Sequence, residues 1–185
     1  FKKHIRFLKE TGFVDERDRL TQDGLWASKL RLDHPLLIAE AIRKGAFAEV
    51  SPEIVAGCLA PFVWDRAVEM EFRIESPLDL TGVEAAFRRV MDLVETLRQL
   101  QISRGFKGPQ IFFWPCVALF LWSSGMPWKT LLTVIPVDEG DLTSLIARTA
   151  DHLRQVANLS ETHPDLSAMA AKAMDLILRE PVYIE

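Results

Sequence analysis

Between residues 139 and 158 the apolar side chains return at steps of three and four. Leu142, Leu145, Ile146, Thr149, Leu153 and Val156 fall on one stripe when each residue advances by about 100°. The opposite side carries Ser144, Arg148, Asp151, Gln155 and Asn158, which all hydrogen-bond and all point away from the apolar stripe. This spacing predicts one amphipathic helix. Its first turn is crowded with Asp138, Glu139 and Asp141, where unpaired backbone amides and the positive end of the helix dipole favour carboxylates. Those acids are therefore assigned to capping, with no catalytic or metal role.

The same grammar extends through most of the chain. Asp33 is placed to cap HPLLIAEAIRK, which stops at Gly45, and Ser51 followed by Pro52 starts PEIVAGCLAPFVW, which Pro61 should kink or end. Thr81 and Glu84 have capping-box spacing ahead of a long helix whose apolar positions are Val83, Phe87, Val90, Val94 and Leu97, running to about Gly105. After the GFKGPQ turn comes an apolar helix over 111–122, then a short one, WKTLLTV, introduced by Met126 and Pro127. A final helix over about 165–180 has Leu166, Met169, Ala173, Met174 and Ile177 inward. No alternating strand pattern occurs from residue 33 onward. Ahead of it, a short helix ending at Gly12 is followed by FVD and RLT around the charged tip ERD, and then by LWASKLRL in helical spacing. That order is how the tail of a winged-helix unit reads, with the hairpin as wing. The fold class expected is all-α: a multi-helix bundle over 33–185, with a short β-hairpin in an N-terminal unit over 1–32.

Composition narrows the function. Hydrophobic residues make up 49% and charged residues 26%, ordinary for a globular chain, and the formal net charge of −4 argues against a surface that grips phosphate throughout. The longest apolar run, IFFWPCVALFLW, is shorter than the roughly 20 residues of a membrane span and contains Pro115, so no membrane association is expected. Cys58 and Cys116 lie in apolar runs without CxxC pairing, which points to buried thiols and a cytoplasmic, reducing setting. The four histidines have no metal-ligand spacing. Trp26, Trp64, Trp114 and Trp122 sit in apolar helical patterns that assign them to the core, while Trp128 is left open between core and surface. Arg88 and Arg89 read as a solvated ion-pair face, and Lys107 in its glycine-bounded loop could touch phosphate or nothing. No GxxxxGK[ST] phosphate loop and no DExH box occurs, so the chain itself is not expected to hydrolyse ATP by the mechanism those motifs serve. The polar stripe remains ambiguous. Arg, Gln and Asn can meet base edges, sugars or a base plane, and such a stripe can equally be solvated.

LTQDGLWASKL, HPLLIAEAIRKGAFAEVSPEIVAGCLAPFVW, WSSGMPW and DEGDLTSLIARTADHLRQVANL, in that order, resemble the C-terminal DSHCT region of the superkiller-type DExH-box helicases of superfamily 2, preceded by the end of the winged helix. The resemblance implies a helical domain packed on two motor domains of the same parent chain, with one helix acting as a ratchet against passing single-stranded RNA or DNA. The 139–158 helix corresponds to it. The family pattern carries an Arg where Ser144 stands and an Arg pair where Ala147 and Arg148 stand, so this chain keeps one of the three. Arg148 and Asp151, with Ser144 and Gln155, are the nucleic-acid-binding residues so implied, with no catalytic residue and no metal ligand. The chain begins at Phe1 inside a helical pattern, which is expected of a piece of a longer protein. ATP and Mg would belong to that parent's motor domains, with no cofactor in this region. The alternative expectation is a structural or protein-interaction module that never meets nucleic acid, favoured by the acidic charge and the missing arginines.

Overall fold

The structure, a computed structural model, describes residues 1–64 and 78–183. Among the described residues it is built from nine α-helices and one 3-10 turn, with no strand. The helices are α1 (Lys2–Glu10), α2 (Gln22–Ala27), α3 (Pro35–Arg43), α4 (Pro52–Leu59), α5 (Thr81–Ser103), α6 (Trp114–Ser123), α7 (Trp128–Val134), α8 (Glu139–Ala157) and α9 (Pro164–Ile177); the 3-10 turn Ala60–Phe62 follows α4.

Helix α4 lies at the centre and packs against α5, α6, α8 and α9, while α8 pairs along its length with α9. Val55, Ala56, Gly57, Cys58 and Leu59 of α4 are all buried. Gly57 allows this, because a Cβ there would stand 3.1 Å from the carbonyl oxygen of Cys116 and 3.4 Å from Cβ of Phe120, both on α6. Cys58 and Cys116 are free thiols buried at that contact, and burial pushes the Cys116 thiol up from its ordinary value. Helix α6 is apolar on every side and buried from Trp114 to Leu119. The indole N–H of its Trp122 donates to the carbonyl of Ile177 at 2.8 Å, which closes the end of α9.

Several local expectations change in the structure. The expected hairpin reduces to one antiparallel bridge, Val14 to Leu20. Its residues are consumed by neighbouring demands. Asp15 closes the tip by accepting from the amides of Arg17 and Arg19, and Thr21 already caps α2 through Gly24 N–H at 3.1 Å while its hydroxyl donates to the Gly12 carbonyl. Too few residues remain for two strands. Ser51 caps α4 as expected, accepting from the amide of Ile54. The capping box of α5 does not form: Thr81 is the first helical residue, Asp79 accepts its amide at 3.1 Å, and Glu84 pairs with Arg88 at 2.6 Å. Asp33 leaves the cap position of α3 to His34, which adopts the left-handed conformation at φ 51°. The inward face of α9 is Ser167, Ala170, Ala173 and Ile177, with Leu166, Met169 and Met174 half-buried beside it. Small side chains let α9 approach α8 closely enough for the Ser167 hydroxyl to donate to the Ala157 carbonyl.

Candidate nucleic-acid interface

Helix α8 orients the candidate residues. Leu142, Leu145, Ile146, Thr149, Leu153 and Val156 are buried as the periodicity predicts, and Ala150 and His152 join them. This fixes the helix rotation. Ser144, Asp151 and Asn158 are exposed, and Arg148 and Gln155 are partly so. At the N-terminus the Glu139 carboxylate accepts the indole N–H of Trp128 at 2.7 Å, so one of the first-turn acids anchors α7 to α8. Asp138 occupies the cap position without a side-chain cap bond.

Arg148 and Asp151 do not act as a pair. Asp151 binds Arg154 at 2.7 Å along the same helix. Arg148 instead reaches off α8 and donates to Oδ2 of Asp33 at 2.5 Å. Asp33 in turn donates its backbone N–H to Nε2 of His152 at 3.0 Å, and Nδ1 of His152 lies 3.0 Å from the carbonyl oxygen of Arg148. These contacts assign the neutral tautomer, with the proton on Nδ1 given to Arg148 and the lone pair on Nε2 taking Asp33. The ring of three residues ties the segment before α3 to the middle of α8. Burial holds the His152 imidazole below the usual histidine range, against the opposing effects of the Arg148 carbonyl and the Asp33 carboxylate.

Arg148 also borders a cleft of about 530 Å³. Asp33 and His34 line it on the α3 side, Phe62 to Trp64 line it after the 3-10 turn, and Lys107 to Gln110 line it from the α5–α6 loop. That loop is held from below. Arg98 donates to the Pro109 carbonyl at 2.7 Å, Lys3 donates to the Gly105 carbonyl at 3.1 Å, and Arg104 binds the Glu10 carboxylate through two nitrogens. Among the described residues His34 is one of three non-glycine residues with positive φ, and proline follows it. A residue before proline disfavours helical φ and ψ, so this conformation is imposed by its surroundings. Burial, reinforced by Lys107, lowers the His34 imidazole from its ordinary value. Trp64, expected in the core, is half-buried at the cleft and meets Trp114 edge-on at 4.7 Å.

Sequence reasoning located Arg148, Ser144, Asp151 and Gln155 on one side of α8 and missed Asp33, His34 and His152 as their neighbours. Asp33 was absorbed by its plausible role as a cap. The available signal was His152, four residues after Arg148 and beside Leu153, where the core stripe meets a polar flank. A buried imidazole needs partners for both nitrogens. The cleft offers the Arg148 guanidinium, the Lys107 ammonium, aromatic rings and the His34 imidazole beside the Asp33 carboxylate, a set suited to holding an anion or a base plane. Among the described residues no group of three or more His, Cys, Asp or Glu side chains is placed to hold a metal ion, and no helix is long and apolar enough to cross a membrane.

The DSHCT (NUC185) domain model matches residues 17–184 of this all-helical chain. The chain belongs to the DSHCT family. Among its relatives is the chloroplastic DExH-box ATP-dependent RNA helicase DExH15 of Arabidopsis thaliana, 28% identical over 167 residues, covering 86% of this chain and 14% of the relative. The antiviral helicase SKI2 of Saccharomyces cerevisiae (strain ATCC 204508 / S288c) is 22% identical over 192 residues, covering 99% of this chain and 15% of the relative. The chain thus spans about one seventh of the length of these helicases.

Proposed function

We propose that this chain is the noncatalytic C-terminal helical domain of an ATP-dependent DExH-box helicase, packing on that protein's motor domains and guiding single-stranded RNA or DNA along α8. The observation that carries it is the outward face of α8. Within a domain family whose named relatives are helicases, Ser144, Arg148, Asp151 and Gln155 are turned away from the core beside a cleft that also holds Lys107. A sparse set of phosphate and base contacts of this kind guides a strand without gripping it, which suits a net charge of −4. Residues 1–32 are, on this reading, the end of a winged-helix-like unit. Phe7, Phe13, Trp26 and Leu30 there join the same apolar cluster as α3 to α9, so that unit would be braced directly on the helical domain over 33–185. Two buried free thiols fit a reducing compartment such as the cytoplasm.

One observation favours a second reading, a structural module that braces other domains: Arg148 is already engaged by Asp33. Unwinding and nucleic-acid-stimulated ATP turnover by the full-length protein separate the two. Arg148→Ala with Asp151→Ala should reduce both severalfold with a nearly unchanged melting curve. Unwinding equal to that of the unmodified protein would transfer the function to the structural module.

A further inference from the structure

We propose that the Asp33 carboxylate is a built-in stand-in for strand phosphate. It occupies the Arg148 guanidinium until a phosphate enters the cleft, displaces it, and is held between Arg148 on α8 and Lys107 on the α5–α6 loop. The proposal rests on the reading of α8 as a strand-guiding helix and adds a second cation and a competitor to it.

The geometry supplies each part. The Arg148 guanidinium meets Oδ2 of Asp33 at 2.5 Å, and the two side chains are 37% and 48% exposed. A guanidinium fork binds a carboxylate or a strand phosphodiester in the same arrangement, because each presents two oxygens that share one negative charge. Because the pair is open to water, the Coulombic attraction holding Asp33 in place is small and an arriving anion can exchange with it. Release of the carboxylate does not release the loop. The backbone N–H of Asp33 stays bound to His152, which stays bound to the Arg148 carbonyl, so only the Asp33 side chain has to turn. Lys107 faces the same cleft, is exposed, and lacks an ion pair among the described residues. His34, fixed at φ 51° beside it and with an imidazole that burial keeps neutral, adds no positive charge, so the pull on an anion comes from Arg148 and Lys107. Asp33 also prevents two neighbouring cations from gripping any passing polyanion, which suits a surface over which a strand must advance.

The test is the affinity of the full-length protein for a labelled oligouridine, measured by fluorescence anisotropy across a salt series, for Asp33→Asn, Arg148→Ala, Lys107→Gln and the Asp33→Asn, Arg148→Ala double variant. Asp33→Asn should bind about two- to fivefold tighter, the range set by removing an exposed ion-pair competitor. Lys107→Gln should bind more weakly and flatten the salt slope by about 0.7, the share of one single-strand phosphate contact. The Asp33→Asn gain should vanish when Arg148 is also absent. The amide retains the Asp33 backbone bond, melting curves establish that the variants share one fold, and Asp33→Ser must reproduce the gain. If Asp33→Asn binds no tighter while Arg148→Ala binds more weakly, Asp33 orients Arg148 and the proposal falls, with strand guidance intact. A gain that persists without Arg148 reflects the general field of a removed charge and also overturns it. If none of the variants changes affinity, the strand-guiding reading fails first and takes the proposal with it.

Discussion

Arg148 and His152 stand one turn apart on α8 and differ in what their loss should do. The Arg148 side chain is 37% exposed and paired with an exposed carboxylate, so Arg148→Ala should cost about 1 kcal/mol of stability or less. Leu153, fully buried on the opposite stripe, provides the contrast: Leu153→Ala should cost roughly 2–5 kcal/mol, read from the shift in a denaturant midpoint. His152 couples the same ring of contacts to pH. Its folded-state value is lowered, chiefly by burial, and burial likewise leads the lowering at His34 and His163. A histidine whose folded value lies below its unfolded one binds its proton more readily when unfolded. Its contribution to stability is therefore present above the ordinary value of 6.5 and lost as pH falls from there toward the folded value. The melting temperature should drop as pH falls below the ordinary histidine value of 6.5, and His152→Gln should make that slope shallower. An unchanged slope would remove His152 from the account.

At the scale of elements, what the sequence made legible follows from how far each signal acts. The stripe of α8, the start of α4 at Ser51 and the bounds of α7 were visible because apolar periodicity and local caps are written within one or two turns. The buried positions Val83, Val90, Val94 and Leu97 of α5 were visible for the same reason. The inward face of α9 was legible in part. Ala173 and Ile177 are buried as expected, but Leu166, Met169 and Met174 were expected with them and are half-buried, whereas the close approach of α8 and α9 turns the small Ser167 and Ala170 inward. The N-terminal hairpin failed because Asp15 and Thr21 spend their side chains on turn and cap bonds, a competition that strand patterning does not register. The Asp33 to Arg148 contact joins residues 115 apart in sequence, a range at which spacing says nothing. Close approach also sets the sharpest stability test among the elements. A Cβ on Gly24 would lie 2.0 Å from the Phe13 carbonyl oxygen, so Gly24→Ala must push α2 off the loop before it and should cost more than about 2 kcal/mol, despite the better helix propensity of alanine. A melting temperature equal to or above that of the unmodified chain would contradict this packing.

At the scale of the whole molecule, one apolar cluster runs from Phe7 in α1 to Ile177 in α9, and the surface around it carries a net charge of −4. A body of this kind holds a helix at a fixed angle and has few cations to spend on binding. The 185-residue chain by itself should release no phosphate from ATP, and its affinity for single strands should be weak and only slightly salt-dependent. Tight binding that survives high salt would be incompatible with so few phosphate contacts. The central claim is that a strand passes along the outward face of α8, and proximity tests it most directly. A photoreactive side chain placed singly at Ser144, at Gln155, or at Arg88 on the exposed side of α5 would be irradiated in the full-length protein with a labelled single strand. Crosslinks are expected from Ser144 and Gln155 and none from Arg88. Crosslinks from Arg88 alone, or from none of the three under conditions where the strand is bound, would contradict it.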